Sequence, residues 1–253
     1  MPKIVSIHSY RGGTGKSNST SNIAAIVASR GNRVCIVDTD IQSPGVHVLF
    51  GYDESSLERS LNDYLWGRLP IEETAYDVSS VLQGKGTSRS AIYLVPSSVK
   101  ASDIARILRE GYDVNLLNDG FQDLIDKLDL DYLFIDTHPG LNEETLLSIT
   151  ISDVLLLVLR PDQQDYQGTA VTVDVARKLE VPELFMIVNK APTIFDFNQL
   201  KEKVEDIYSA QVAGVLPHSD EMMILASSGV YALRYPDHEF TKVFEAIADR
   251  VMS

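Results

Sequence analysis

Short apolar runs separated by amphipathic or polar stretches recur along the whole chain. Ile4 to Ile7 reads as a buried strand, and Asn22 to Ala28, with Ile23, Ile26 and Val27 at helical spacing, reads as the helix after it. Arg30-Gly31-Asn32 stops that helix, and Val34 to Val37 is a second buried strand. Further strands are predicted at Ile92 to Val95, Tyr132 to Ile135, Asp153 to Leu159, Leu184 to Val188 and Val212 to Leu216. Helical stretches are predicted around Leu57 to Trp66, over Ala101 to Arg109 and from near Gln167, with a polar loop from Gln83 to Ser90. Asp123, Asp126, Asp129 and Asp131 read as a solvated acidic face. The last predicted helix, Asp237 to Met252, carries Phe240, Val243, Phe244, Ile247 and Val251 at core-facing spacing. Strand-like and helical segments alternate from end to end without a linker, which predicts an α/β fold and a single domain over residues 1–253.

Composition narrows the classes. A formal net charge of −14 over 253 residues argues against broad, sequence-independent binding to DNA or anionic lipid, without ruling out a local basic patch. The only cysteine, Cys35, lies inside an apolar strand, so no disulfide forms within the chain and a cytoplasmic location is expected. The first residues run straight into a strand, and no apolar run reaches the length of a membrane span. The last helix offers only Lys242 and Arg250 as positive charges, too few for a membrane-surface helix.

The chemistry concentrates between the first strand and the first helix, in Tyr10-Arg11-Gly12-Gly13-Thr14-Gly15-Lys16-Ser17. Strand, glycine turn and helix form the setting of a phosphate-binding loop. Its glycines allow positive φ and close approach of backbone amides to a polyphosphate, and the helix start adds unpaired N–H groups. Lys16 would charge-stabilise the β and γ phosphates, and the Ser17 hydroxyl would ligate magnesium. The strict G-x-x-x-x-G-K-[ST] pattern is not met, because its first glycine falls on Tyr10.

The second strand ends in Asp38-Thr39-Asp40, where open α/β sheets place their ligands. Asp38 is a candidate for a magnesium-bound water and Asp40 for orienting an attacking water; both residues also suit a solvated strand end. The strand Tyr132 to Ile135 delivers Asp136, a second candidate magnesium anchor, into Thr137-His138-Pro139-Gly140. The Gly140 amide would meet the γ phosphate, and His138 is expected to hydrogen-bond locally in preference to acting as a general base. Asn189 offers the donor and acceptor that match an adenine edge but equally suits a strand-end turn, and Pro217-His218 would shape the other wall of a base pocket.

Arg11 to Ser17, Asp38-Thr39-Asp40, Asp136 to Gly140 and Val188-Asn189-Lys190, in that order, resemble the deviant Walker A P-loop ATPases of the ParA and MinD family over nearly the whole chain. The resemblance implies a mostly parallel twisted sheet of about seven or eight strands with helices on both faces. It implies an ATP-dependent homodimer that hydrolyses ATP slowly, with a protein activator, used to position or partition a protein or DNA cargo. Arg11 stands where the family has a lysine that reaches the partner's phosphates. Catalytic roles then fall to Arg11, Lys16 and Asp40; ATP binding to Gly12, Gly13, Thr14, Gly15, Lys16, Ser17, Asn18, Gly140, Asn189 and Pro217; and Mg²⁺ to Ser17, Asp38 and Asp136. His138 replaces the usual proline. The competing readings are an amide-forming synthetase or iron–sulfur carrier on the same scaffold, and a non-catalytic nucleotide binder. A tyrosine kinase of the wider superfamily fits poorly, because the C-terminal tail lacks a tyrosine cluster.

Overall fold

The structure is a computed structural model that describes residues 1–225 and 227–253. Among the described residues eight strands form one sheet: β1 (Lys3–His8), β2 (Arg33–Asp38), β3 (Tyr76–Asp77), β4 (Ala91–Val95), β5 (Tyr132–Asp136), β6 (Val154–Leu159), β7 (Glu183–Ala191) and β8 (Gln211–Pro217). Their order is β3-β4-β2-β5-β1-β6-β7-β8. All neighbours are parallel except the β3–β4 edge pair. Parallel strands covered on both faces read as continuous apolar runs, which is the pattern the sequence carries.

Alternate residues of each strand feed opposite layers. On one face, Ile23 and Val27 of the first helix, α1 (Lys16–Ser29), join Phe244, Ile247 and Val251 of the helix Glu239–Met252 over Val5, Ile7, Val34 and Ile36. On the other, Leu117, Phe121 and Leu124 cover Cys35, Val37, Leu133 and Ile135. Val173, Leu200 and Val204 cover Leu155 and Leu157 on the same side of the sheet's far half. Each such buried side chain contributes about 1.5–3 kcal/mol. The last helix is therefore a core element, in keeping with its spacing.

Three local differences from the sequence reading have physical causes. The helix Asn115–Lys127 was hidden by its acidic residues, which line the solvent face while Leu117, Phe121, Leu124 and Ile125 turn inward. β3 has two residues and so leaves no periodic signal. The stretch around Leu57 is helical only over Leu61–Leu65, because the Asp53 carboxylate accepts from the Ser55 and Ser56 amides and holds the preceding chain in turns.

β1 sits between β5 and β6, so the strand order reverses on either side of it. The C-terminal edge at such a reversal is where this architecture opens a crevice. The glycine-rich loop leaves β1 at that edge.

Candidate functional site

The loop from Ser9 to Gly15 wraps over the end of β1 and hands the chain to α1 at Lys16. Gly13 and Gly15 have φ of 75° and 97°. A Cβ at Gly15 would also overlap the Asn189 side-chain amide, so glycine is required there twice over. Gly15 caps α1 without any side-chain hydrogen bond, and the first turn holds no acidic residue. The helix start thus keeps its amides and positive dipole end for an external anion. Lys16, Ser17, Asn18, Asp40 and His138 join the loop glycines around a cavity of about 400 Å³.

Asp38 and Asp136 are side by side in the β2–β5 register, and both are buried. Burial raises the Asp136 carboxyl to about 6, with Lys16, Ser17 and Thr20 pulling it back down. Burial and the adjacent Asp136 hold Asp38 well above the usual carboxylate range, against the Gly45 and Val46 amides. Ser17 Oγ donates to Asp136 at 2.6 Å and Thr20 Oγ1 at 3.1 Å. Two crowded buried carboxylates beside a hydroxyl make an oxygen-only donor set that a hard divalent cation would relieve. Among the described residues no three metal-ligating side chains gather, so phosphate oxygens and waters would have to complete a magnesium shell.

Asp40 leaves β2 with its own amide donating to Asp38 at 3.0 Å, and its carboxylate accepts from the Ser43 amide at 3.1 Å. Its Oδ1 lies 3.8 Å from His138 Nε2. His138 Nδ1 is 2.7 Å from the Pro139 carbonyl oxygen, the local bond expected of it.

Two sequence expectations change. The Gly140 amide donates to the Ser9 carbonyl at 3.2 Å, which ties the β5 loop to the end of β1 and engages the N–H expected to meet the γ phosphate. Asn189 holds the phosphate loop itself: its Nδ2 donates to the Thr14 carbonyl at 2.8 Å, and its Oδ1 accepts from the Lys190 amide. Only its second hydrogen and second lone pair are left for a base. Asn189 and Pro217 do share a smaller cavity of about 190 Å³ with Asn18, Met222 and Phe240, on the far side of Gly15.

Arg11 points away from the phosphate cavity. Its guanidinium donates to the Gln164 side chain and lies 4.0 and 3.6 Å from the carboxylates of Asp162 and Asp165, at the start of the helix Gln163–Lys178. Tyr10 rests on Gly168 of the same helix, where any Cβ would overlap its ring. Gly168→Ala is expected to destabilise by about 1 kcal/mol or more through overpacking. On a Tyr10→Ala background the same change should stabilise by up to about 1 kcal/mol, because alanine is the better helix former. Urea titrations of the four proteins in that cycle check the reversal.

Several participants left no signal in the sequence. Gln164 and Asp165 are far from the loop in the chain, and Lys190, which the sequence marks only as a neighbour of Asn189, donates its Nζ to the Gly13 carbonyl at 2.8 Å. His8 is buried beneath the loop, with Nδ1 2.7 Å from Thr137 Oγ1. Burial, then Lys16, depress it to about 3, so the ring is neutral.

A glycine loop at the reversal point of a parallel sheet, a Lys-Ser pair opening the next helix, and aspartates ending two adjacent strands define a P-loop nucleoside triphosphatase fold. Residues 2–182 match the AAA_31 family, described as an AAA domain, and the chain belongs to that family. It is 24% identical to an ATP-binding protein of Methanocaldococcus jannaschii, over 100% of this chain and 88% of that one. It is 25% identical to an iron–sulfur cluster carrier protein of Pseudomonas fragi, over 98% of this chain and 84% of that one. The septum site-determining protein MinD of Pyrococcus horikoshii, solved with Mg-ADP, superposes with a TM-score of 0.78 at 21% identity, over 99% of this chain and 96% of that one. The sheet and its helices thus have the fold of the MinD and ParA ATPases.

Proposed function

We propose that the chain is a magnesium-dependent ATPase that works as a dimerising switch: two copies close over ATP, hydrolyse it slowly, and part. The observation that carries this reading is the opposite placement of the loop's two cations. Lys16 is buried within electrostatic reach of Asp40 and Asp136, whereas Arg11 turns outward and is half-exposed. Lys16 then serves the β and γ phosphates of its own subunit, and Arg11 those of the partner. Ser17 would bind magnesium directly, with Asp38 and Asp136 behind waters; the ion would neutralise charge building on the phosphates. Asp40 would orient the attacking water.

The whole of residues 1–253 acts as one unit in this reading, in the cytoplasm, with a protein activator and a cargo to be positioned or partitioned. Among the described residues no helix is long and apolar enough to cross a membrane. The likeness to an iron–sulfur carrier does not favour cluster chemistry here. Cys35 is the only cysteine, it is buried in β2, and burial pushes its thiol far up.

Size-exclusion chromatography of Asp40→Ala tests the switch. The variant should run as a dimer with ATP and as a monomer with ADP or without nucleotide. A monomer under all three conditions contradicts the proposal.

A further inference from the structure

His138 Nε2 makes no hydrogen bond among the described residues. The Pro139 carbonyl can only accept, so the 2.7 Å contact puts a proton on Nδ1, and in the tautomer that bond selects Nε2 carries the lone pair. That lone pair faces Asp40 Oδ1 across 3.8 Å. Two acceptors at that separation do not bond each other, and one water can span the gap by donating a hydrogen to each. Both acceptors are set in place from behind, Asp40 by the Ser43 amide and His138 by its own turn. Both line the cavity that Lys16 and the loop glycines enclose.

We propose that Asp40 and His138 together hold the attacking water, with His138 Nε2 as a positioning acceptor. This rests on the ATPase reading above. A water that has given both hydrogens away can turn only lone pairs toward the γ phosphorus. In the step, the water oxygen bonds to that phosphorus, and the bond from the bridging oxygen breaks with its electron pair going to ADP. One water proton stays on the phosphate formed, and the other leaves to solvent by way of Asp40. Orientation of this kind is the main demand that phosphoryl transfer makes of a protein.

Two substitutions separate the acceptor from the turn. In His138→Asn the amide reaches about as far as Nδ1 and can keep the Pro139 bond, but nothing extends to the Nε2 position. In His138→Gln the amide oxygen reaches about as far as Nε2. The proposal expects kcat to fall about tenfold or more in His138→Asn with KM for ATP unchanged, and to stay within about threefold of wild type in His138→Gln. Wild-type turnover in His138→Asn overturns it, as does a His138→Gln variant as slow as His138→Asn. Lys16→Ala is run alongside. If it sits at background while both His138 variants run at full rate, only the water clamp is lost. If the wild type and Lys16→Ala are both at background, the ATPase reading is lost and the clamp with it.

Discussion

Arg11→Ala is expected to lower ATP turnover by about 10³-fold or more, the range of arginine fingers, while ATP affinity of the monomer changes by no more than a few-fold. The guanidinium does not line the phosphate cavity of its own chain, so removing it leaves that cavity's donors in place. What holds it now is weak. The pair with exposed Asp162 is worth about 0–1 kcal/mol, buried Asp165 keeps Arg160 as a partner if Arg11 leaves, and a bidentate bond to phosphate is stronger. In the proposed dimer, a partner's triphosphate would draw Arg11 away from Gln164 and the two aspartates. Steady-state phosphate release and equilibrium nucleotide binding, measured on the same preparation, separate the two effects. A variant that loses binding in proportion to turnover would place Arg11 in its own subunit's site.

Lys16→Ala should reduce turnover by about 10²–10³-fold, the loss typical of deleting one preorganised charge-stabilising group. Lys16 is buried at the first position of α1, close enough to Asp40 and Asp136 to lower both carboxyls against the effect of burial. His138 and Lys16 both lower Asp40, and Lys16 alone among the described residues also lowers Asp136 as a cation. Without it, a triphosphate entering the cavity meets Asp38, Asp40 and Asp136 with less to offset their charge, so affinity falls together with rate. Phosphate release and nucleotide titration should both register the change, and turnover within tenfold of wild type would remove Lys16 from the chemistry.

What the sequence made legible was local. Each parallel strand is a continuous apolar run, and the glycine loop, Lys16 and Ser17 are contiguous, so strand order apart, the frame and the phosphate loop could be read directly. Asp38 and Asp136 were legible for a related reason: each ends an apolar strand, although only the β2–β5 register sets them side by side. The rest depends on contacts between distant segments. Asn189 in isolation suits either a base contact or a strand-end turn, and its grip on the Thr14 carbonyl exists only because β7 ends beside the loop. The Gly140 amide is a reasonable phosphate donor until the chain closes it onto Ser9. Tyr10 looks like a defect in the motif, yet Gly168 makes room for its ring from a helix more than half the chain away. The outward set of Arg11 needs Gln164 and Asp165, which no local pattern ties to a phosphate loop.

In the proposed dimer each ATP is hydrolysed between two copies of the chain, one supplying Lys16 and Asp40 and the other Arg11. Mixing Arg11→Ala with Asp40→Ala tests it most directly, because each variant alone lacks a different half of the site. If Arg11 acts across the interface, the mixture recovers about a quarter of wild-type turnover, since half of randomly paired dimers are mixed and each carries one complete site. Turnover no higher than the sum of the two inactive variants would contradict the account and put Arg11 to work, if anywhere, in its own subunit.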